Sequence, residues 1–285
     1  MSDPRWAQLV LSIQEIFERG AGAIPFNHRL DAAETLGRFG DPRLTEERRV
    51  WLPGGSFLMG SDDKDAYDDE KPVHRVTVKG FWIARYPVTV AEYTGFVDDR
   101  GYSRRELWSA GGFGEFAEPR EWMTQRKHPN RPVTRVSWFE AAAFSAWRGA
   151  RLLTEAEWEY AARGASGRKY AWGNQDPSPE LANFPGGPRR PTPVGLYPEG
   201  QTPEGLFDMA GNVWEWVSDW YSTYPSSAQE DPRRAAMGSG KVLRGGSWNN
   251  NPRSLRGACR NRDAPAERSG NVGFRLAWDG KTLDA

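Results

Sequence analysis

The chain has 285 residues and balances 38 Lys and Arg against 38 Asp and Glu, a net charge of zero. That neutrality argues against nucleic-acid binding, which rests on neutralising phosphates. The longest apolar runs, such as residues 9–13, are far too short to span a bilayer, and a single cysteine, Cys259, excludes any intrachain disulfide.

Residues 1–48 read as helical. Trp6, Leu9, Val10, Ile13, Ile16 and Phe17 form one apolar stripe at helical spacing, ended by Gly20-Ala-Gly22. A second helix, over about 30–39, stops at Gly40-Asp-Pro42. This pair packs on its own chain or docks a partner. No basic stretch leads into a long apolar segment at the start, so no secretory signal is expected and a cytoplasmic location is the default.

From Val50 the pattern changes, and residues 49–285 read as the main domain. Residues 51–60 look like a short strand bounded by turns, 75–79 alternate with period two, and 81–83 continue as a second strand. Three hydroxyl-and-glutamate pairs then mark helix starts: Thr89 with Glu92, Ser137 with Glu140, and Thr154 with Glu157. They predict helices over 90–98, 138–147 and 155–163 and assign those carboxylates to capping. The remainder is turns with short strands, as at 241–243 and 272–276. With 31 Gly and 21 Pro the chain turns often, and its 14 Trp, 13 Phe and 9 Tyr supply the packing mass for an ordered, irregular α+β globule.

Candidate chemistry is sparse. The acidic run 62–70 lacks the spacing of a calcium loop and reads as solvated. His28, His74 and His128 have no zinc-type spacing. Cys259 has arginine neighbours but no following histidine, and reads as inert. Asp208 and Glu215 flank glycine and small residues, an arrangement open to either a hard cation or core packing. The run from Arg244 to Arg275 carries three consecutive asparagines and interleaved arginines, which suits an exposed loop.

Taken together, Pro53-Gly-Gly-Ser-Phe-Leu-Met-Gly60, Glu70-Lys-Pro-Val-His-Arg-Val76, Pro132-Val-Thr-Arg-Val-Ser-Trp138, Arg151-Leu-Leu-Thr-Glu-Ala-Glu-Trp-Glu-Tyr160, residues 205–220 and Leu243-Arg-Gly-Gly-Ser-Trp248 with Gly273-Phe-Arg275 resemble the sulfatase-modifying-factor family, whose founding activity is formylglycine generation. The resemblance spans about residues 50–278 and implies the family's irregular, loop-rich α+β fold of the C-type-lectin-like kind. It also implies a structural calcium held by the side chains of Asp208 and Glu215 and the carbonyls of Gly211 and Val213. The family's copper oxidase uses two thiolates after Gly-Gly-Ser-aromatic, where this chain has Asn249, Asn250 and Asn251, and its iron-dependent branch uses a His-x3-His-x-Glu motif that is absent. Neither copper nor iron is therefore expected.

The same segment is similar to the variable proteins of diversity-generating retroelements, in which AAC codons are randomised by adenine mutagenesis. Asn249, Asn250, Asn251, Ser254, Gly257, Cys259, Asn261, Asp263, Ala264, Ser269, Gly270 and Asn271 are all reachable from AAC. That resemblance implies a non-enzymatic ligand-binding protein, with a hypervariable patch at about 244–276 meeting an unknown protein or other macromolecule, with a further partner possible at the N-terminal helices and with no nucleic acid or membrane. The alternatives are a metal-dependent oxidase of the same family and a catalytically dead recognition domain.

Overall fold

All three capping boxes open helices. The computed structural model describes residues 24–44, 49–233 and 238–280. Its longer helices are α1 (Phe26–Phe39), α2 (Val90–Asp98), α3 (Trp138–Trp147) and α4 (Glu155–Arg163). At α2 the amide of Thr89 donates to Glu92 Oε2 at 2.8 Å while Glu92 N donates back to Thr89 Oγ1 at 3.3 Å. The same reciprocal pair closes on Ser137 and Glu140, and on Thr154 and Glu157. Two orphan amides are satisfied at each start, so the helices begin where the sequence places them. The apolar stripe over residues 6–17 lies outside the described residues.

Eleven short strands are described: β1 (Arg49–Leu52), β2 (Gly55–Met59), β3 (His74–Val78), β4 (Phe81–Ala84), β5 (Arg151–Leu152), β6 (Trp214–Trp220), β7 (Gln229–Glu230), β8 (Lys241–Arg244), β9 (Arg260–Asp263), β10 (Val272–Phe274) and β11 (Leu276–Asp279). They form three small sheets, ordered β1-β4-β11-β5, β10-β6-β8-β9 and β2-β3-β7. The two strands expected over 75–79 and 81–83 form as β3 and β4 and enter different sheets on either side of Gly80; a Cβ there would meet the Trp51 ring at 2.6 Å, and only glycine lets the indole cross. Two other expected strands divide. The run 272–276 parts at Arg275, whose guanidinium is buried. The single strand expected over 51–60 becomes β1 and β2, separated by Pro53 and Gly54, the latter at φ 75°.

Aromatic rings fill one core. Tyr93 of α2 stacks on Phe144 of α3 with centroids 5.0 Å apart, and Phe274 of β10 meets Phe144 edge-on at 5.5 Å. Such pairs add about 0.5–1.5 kcal/mol each beyond area burial, enough to fix two short helices against a three-residue strand. The described part of the N-terminal region packs on its own chain. Asn130 Nδ2 donates to the carbonyl of Ala33 at 2.7 Å, and Glu34 pairs with Arg131.

Beneath the C-terminal segment lies a second, charged interior. Glu155 and Glu159 stand one turn apart on fully buried α4 and face arginines of β8 and β9. Arg244 donates to Glu159 at 2.5 Å and to Glu155 at 3.4 Å, and Arg260 takes Glu155 in two bonds of 2.8 Å. Isolated charges there would carry a large desolvation cost; paired in this way, they hold the segment in one place.

Candidate functional site: the cleft around Cys259

The 3-10 turn Pro252–Leu255 folds the C-terminal segment inward before β9 carries it back to the surface. The result is a cleft of about 290 Å³ that brings together Asn250, Ser254, Cys259 and Asn261 from the sequence-predicted set. Its other walls are Tyr67, Asp69, Trp214 and Arg260. Tyr67 and Asp69 come from the acidic run 62–70, expected to be a solvated loop. In the structure that run tightens into a turn over Asp68–Glu70, and Glu70 is fully buried in an ion pair with Arg256 at 2.5 Å. The available signal was Glu70 itself, a charged residue at the head of a family motif that has a buried arginine to meet.

The cleft is polar and rigidly held. Tyr221 donates its hydroxyl to Asp69 Oδ2 at 2.6 Å; burial first, then the hydrogen bond to Asp69, push this phenol up to about 12. Arg260 lies between the rings of Tyr221 and Tyr224, at 4.4 and 4.0 Å from their centroids, with its charge committed to Glu155. Burial pushes the Cys259 thiol up to about 12, the Glu70 carboxylate adding to the effect, so the sulfur stays protonated near neutrality. A buried thiol is a weak nucleophile and a poor copper(I) ligand.

The remaining expected positions scatter. Asn249 is exposed, and its amide oxygen accepts from Ser247 at 2.7 Å and from Asn271 at 3.0 Å. Asn250 also accepts from the Ser247 hydroxyl. Asn251 and Ala264 are exposed, and Asp263 and Ser269 half-buried. Gly270 lines a different hollow, beside Trp248. Free exposure fails at three positions, which corrects the expectation of a uniformly open patch: Ser254, Gly257 and Cys259 are buried. The arginines between them cause this. Arg244 binds the carbonyls of Gly257 and Ala258, Arg256 binds Glu70, and a Cβ on Gly257 would meet Arg163 Cγ at 2.4 Å.

The calcium expectation meets a different arrangement. Both oxygens of Glu215 accept from the Arg275 guanidinium at 2.6–3.0 Å, and Oε2 also accepts from Trp158 Nε1 at 2.7 Å. In this arrangement the carboxylate of Glu215 is shared with the Arg275 guanidinium. Asp208 accepts from the Gly195 amide and from Asn212, and burial pushes it up to about 6. Calcium takes six to eight oxygens, waters among them; of the expected set, the two carboxylates are engaged here by Arg275 and Trp158 at Glu215 and by Gly195 and Asn212 at Asp208. For a transition metal, no group of three or more His, Cys, Asp or Glu is placed to hold an ion among the described residues. His74 lies buried against Tyr224, His128 pairs with Glu34, and His28 is exposed on α1. Among the described residues, no helix is long and apolar enough to cross a membrane.

Residues 37–280 match the sulfatase-modifying factor enzyme 1-like domain. The chain is 39% identical over 260 residues to hercynine oxygenase of Mycolicibacterium smegmatis, covering 81% of this chain and 61% of that one. It therefore spans about three fifths of the length of that relative. It is 36% identical to the formylglycine-generating enzyme of Streptomyces coelicolor, over 87% of this chain and 94% of that one. Among solved structures, variable protein 1 of Treponema denticola superposes with a TM-score of 0.64 at 25% identity, covering 80% of this chain and 94% of the other. The likeness to variable proteins is thus shown at the level of fold. The expectation of a non-enzymatic binding protein is overturned, because relatives with 36–39% identity over most of the chain are named as enzymes. By its residues from 37 to 280, the chain belongs to the sulfatase-modifying factor enzyme 1-like domain family.

Proposed function

We propose that the protein is an oxidative enzyme of this family, of the oxygenase type, and that its substrate binds in the cleft around Cys259. One observation carries the reading: a chain 39% identical to a hercynine oxygenase over 260 residues builds, within its family domain of residues 37–280, a concave polar cleft on a rigid frame. The cleft is complementary to a small polar molecule. Asn250 and Asn261 offer amides able to donate and accept, Ser254 a hydroxyl, and Asp69 a carboxylate oriented by Tyr221. Asp69 is the group suited to pair with a substrate cation or to take a proton. Cys259 fills the cleft wall as a thiol. Among the described residues no group of three or more His, Cys, Asp or Glu is placed to hold a metal ion, so no step is routed through one here.

The test is oxygen uptake by the purified protein supplied with iron(II) and with hercynine as the probe substrate. The reading requires uptake that depends on hercynine and falls at least about tenfold in Asp69→Asn. Uptake indifferent to hercynine, together with no hercynine binding by calorimetry, would overturn it.

A further inference from the structure

On the other side of the turn that follows Ser247, a hollow of about 380 Å³ opens between Trp248 and the loop around Arg189 and Arg190. Its lining contains four arginines, 131, 135, 189 and 190, against one carboxylate, Glu121. Arg135 Nε reaches Glu121 at 3.1 Å, and Arg131 pairs outside the lining with Glu34. Arg189 and Arg190 make no ion pair among the described residues. The backbone of Arg190 is nevertheless fixed, because its carbonyl accepts from Asn183 Nδ2 at 2.9 Å.

Three independent features converge on this hollow. First, its positive charges crowd one another. Burial first, and the charge of Arg190 as well, hold Arg131 below the ordinary guanidinium value, while burial and the charges of Arg131 and Arg190 lower His128, another lining residue. Second, two N–H donors of lining residues, Arg131 Nε and Trp248 Nε1, are shielded from solvent and have no acceptor. Buried donors are almost always satisfied. Third, the backbone is strained here. Of the seven non-glycine residues at positive φ among those described, Glu121 at 58°, Arg135 at 56° and Arg189 at 56° all line this hollow. Such conformations persist where the surrounding structure imposes them and cluster at ligand sites. The Arg135 guanidinium also needs Gly270 beneath it, since a Cβ there would lie 3.0 Å from its Cζ.

We propose that this hollow binds a small organic oxyanion, a carboxylate- or phosphate-bearing molecule whose apolar part lies against Trp248, Pro132 and Pro191. Planar guanidiniums suit either headgroup, because each presents paired N–H donors to paired oxygens. The volume is that of a small-molecule site, and the neutral chain has no overall positive charge to hold a polyanion. The proposal does not rest on the reading of the Cys259 cleft.

The test is isothermal titration calorimetry of the full chain with inorganic pyrophosphate and, separately, with succinate, at constant ionic strength. The expected result is saturable one-to-one binding of at least one probe, weakened about tenfold or more in Arg189→Ala/Arg190→Ala, since a lost charge-assisted hydrogen bond is of that order. Both residues are exposed, so the variant should keep the parent melting temperature and the comparison remains interpretable. The probe that binds more tightly identifies the headgroup. No saturable heat with either probe, or equal binding by the folded double variant, would overturn the proposal.

Discussion

The C-terminal segment contains two stretches of similar composition and opposite fate. Residues 254–260 are buried, and residues 261–271 are exposed or half-buried. Both carry arginines, and the difference is where the acids stand. Arg256 meets Glu70 and Arg260 meets Glu155 with both guanidiniums buried, whereas Arg262 rests its guanidinium over the Tyr221 ring at 4.1 Å, and Arg268, itself only half-buried, reaches inward to the buried carboxylate of Glu140 at 3.0 Å. Composition alone does not tell an arginine that holds a segment down from one that decorates it. Burial of the guanidinium together with its carboxylate does.

The sharpest way to break this comparison is Glu155→Ala. It strips Arg260 of its carboxylate partner in the interior and leaves Arg244 with Glu159 alone, and removing one partner of a buried pair costs about 3–5 kcal/mol. Urea denaturation should show a loss of that size, with Glu155→Gln losing less because hydrogen bonds to one oxygen survive. A loss under about 1 kcal/mol would mean that the arginines do not hold the segment.

This charged interior was the least legible part of the molecule. Helix starts are local, so Thr89, Ser137 and Thr154 declared theirs within four residues, and the family motifs carried the fold class. The pairing of Glu70 with Arg256 joins residues 186 apart, and no local pattern announces it. For the same reason the acidic run 62–70 read as solvated, although it supplies two cleft residues, and the asparagine-rich run read as uniformly open. β6 went unread as a strand because its Trp-Glu-Trp pattern serves burial on both faces. The pairing of Glu215 with Arg275, 60 residues later, is another contact that no local pattern announces.

Gly257→Ala asks how tightly the buried stretch is packed. Its added Cβ would meet Arg163 Cγ at 2.4 Å and Cδ at 3.0 Å, and overpacking of this kind costs about 1–3 kcal/mol. In an Arg163→Ala background the cost of the alanine should largely vanish, a coupling that a double-mutant cycle reads directly. Equal costs in both backgrounds would place the constraint elsewhere.

Lys241 marks the border between the two stretches, on β8 opposite Asp263 of β9. Its ammonium lies 3.7 Å from the Trp138 ring centroid and 4.3 Å from that of Trp220, and it donates to the Ser218 carbonyl at 2.8 Å. Burial lowers the pKa from 10.5 to about 8, with the charge of Asp219 opposing the shift. Between those values the unfolded chain holds a proton that the folded one has released, so stability rises with pH across that window and the penalty is complete below it. From pH 7 to pH 10 the parent should gain about 1–2 kcal/mol relative to Lys241→Met. A parallel pH course for the two proteins would show that the ammonium is better solvated than its burial implies.

The smallest effect belongs to the exposed side. Asn251 caps the Pro252–Leu255 turn by position alone, with no side-chain hydrogen bond to it. It is exposed, three residues before the segment dives inward. Asn251→Ala should therefore shift stability by no more than about 0.5 kcal/mol, while Ser254→Leu, three residues on and facing the cleft, should cost several times that through overpacking. Melting curves of the two variants side by side measure how abruptly the surface becomes interior. If both were silent, the inward turn would be loose, and the cleft it shapes would not be held rigidly enough to position a substrate.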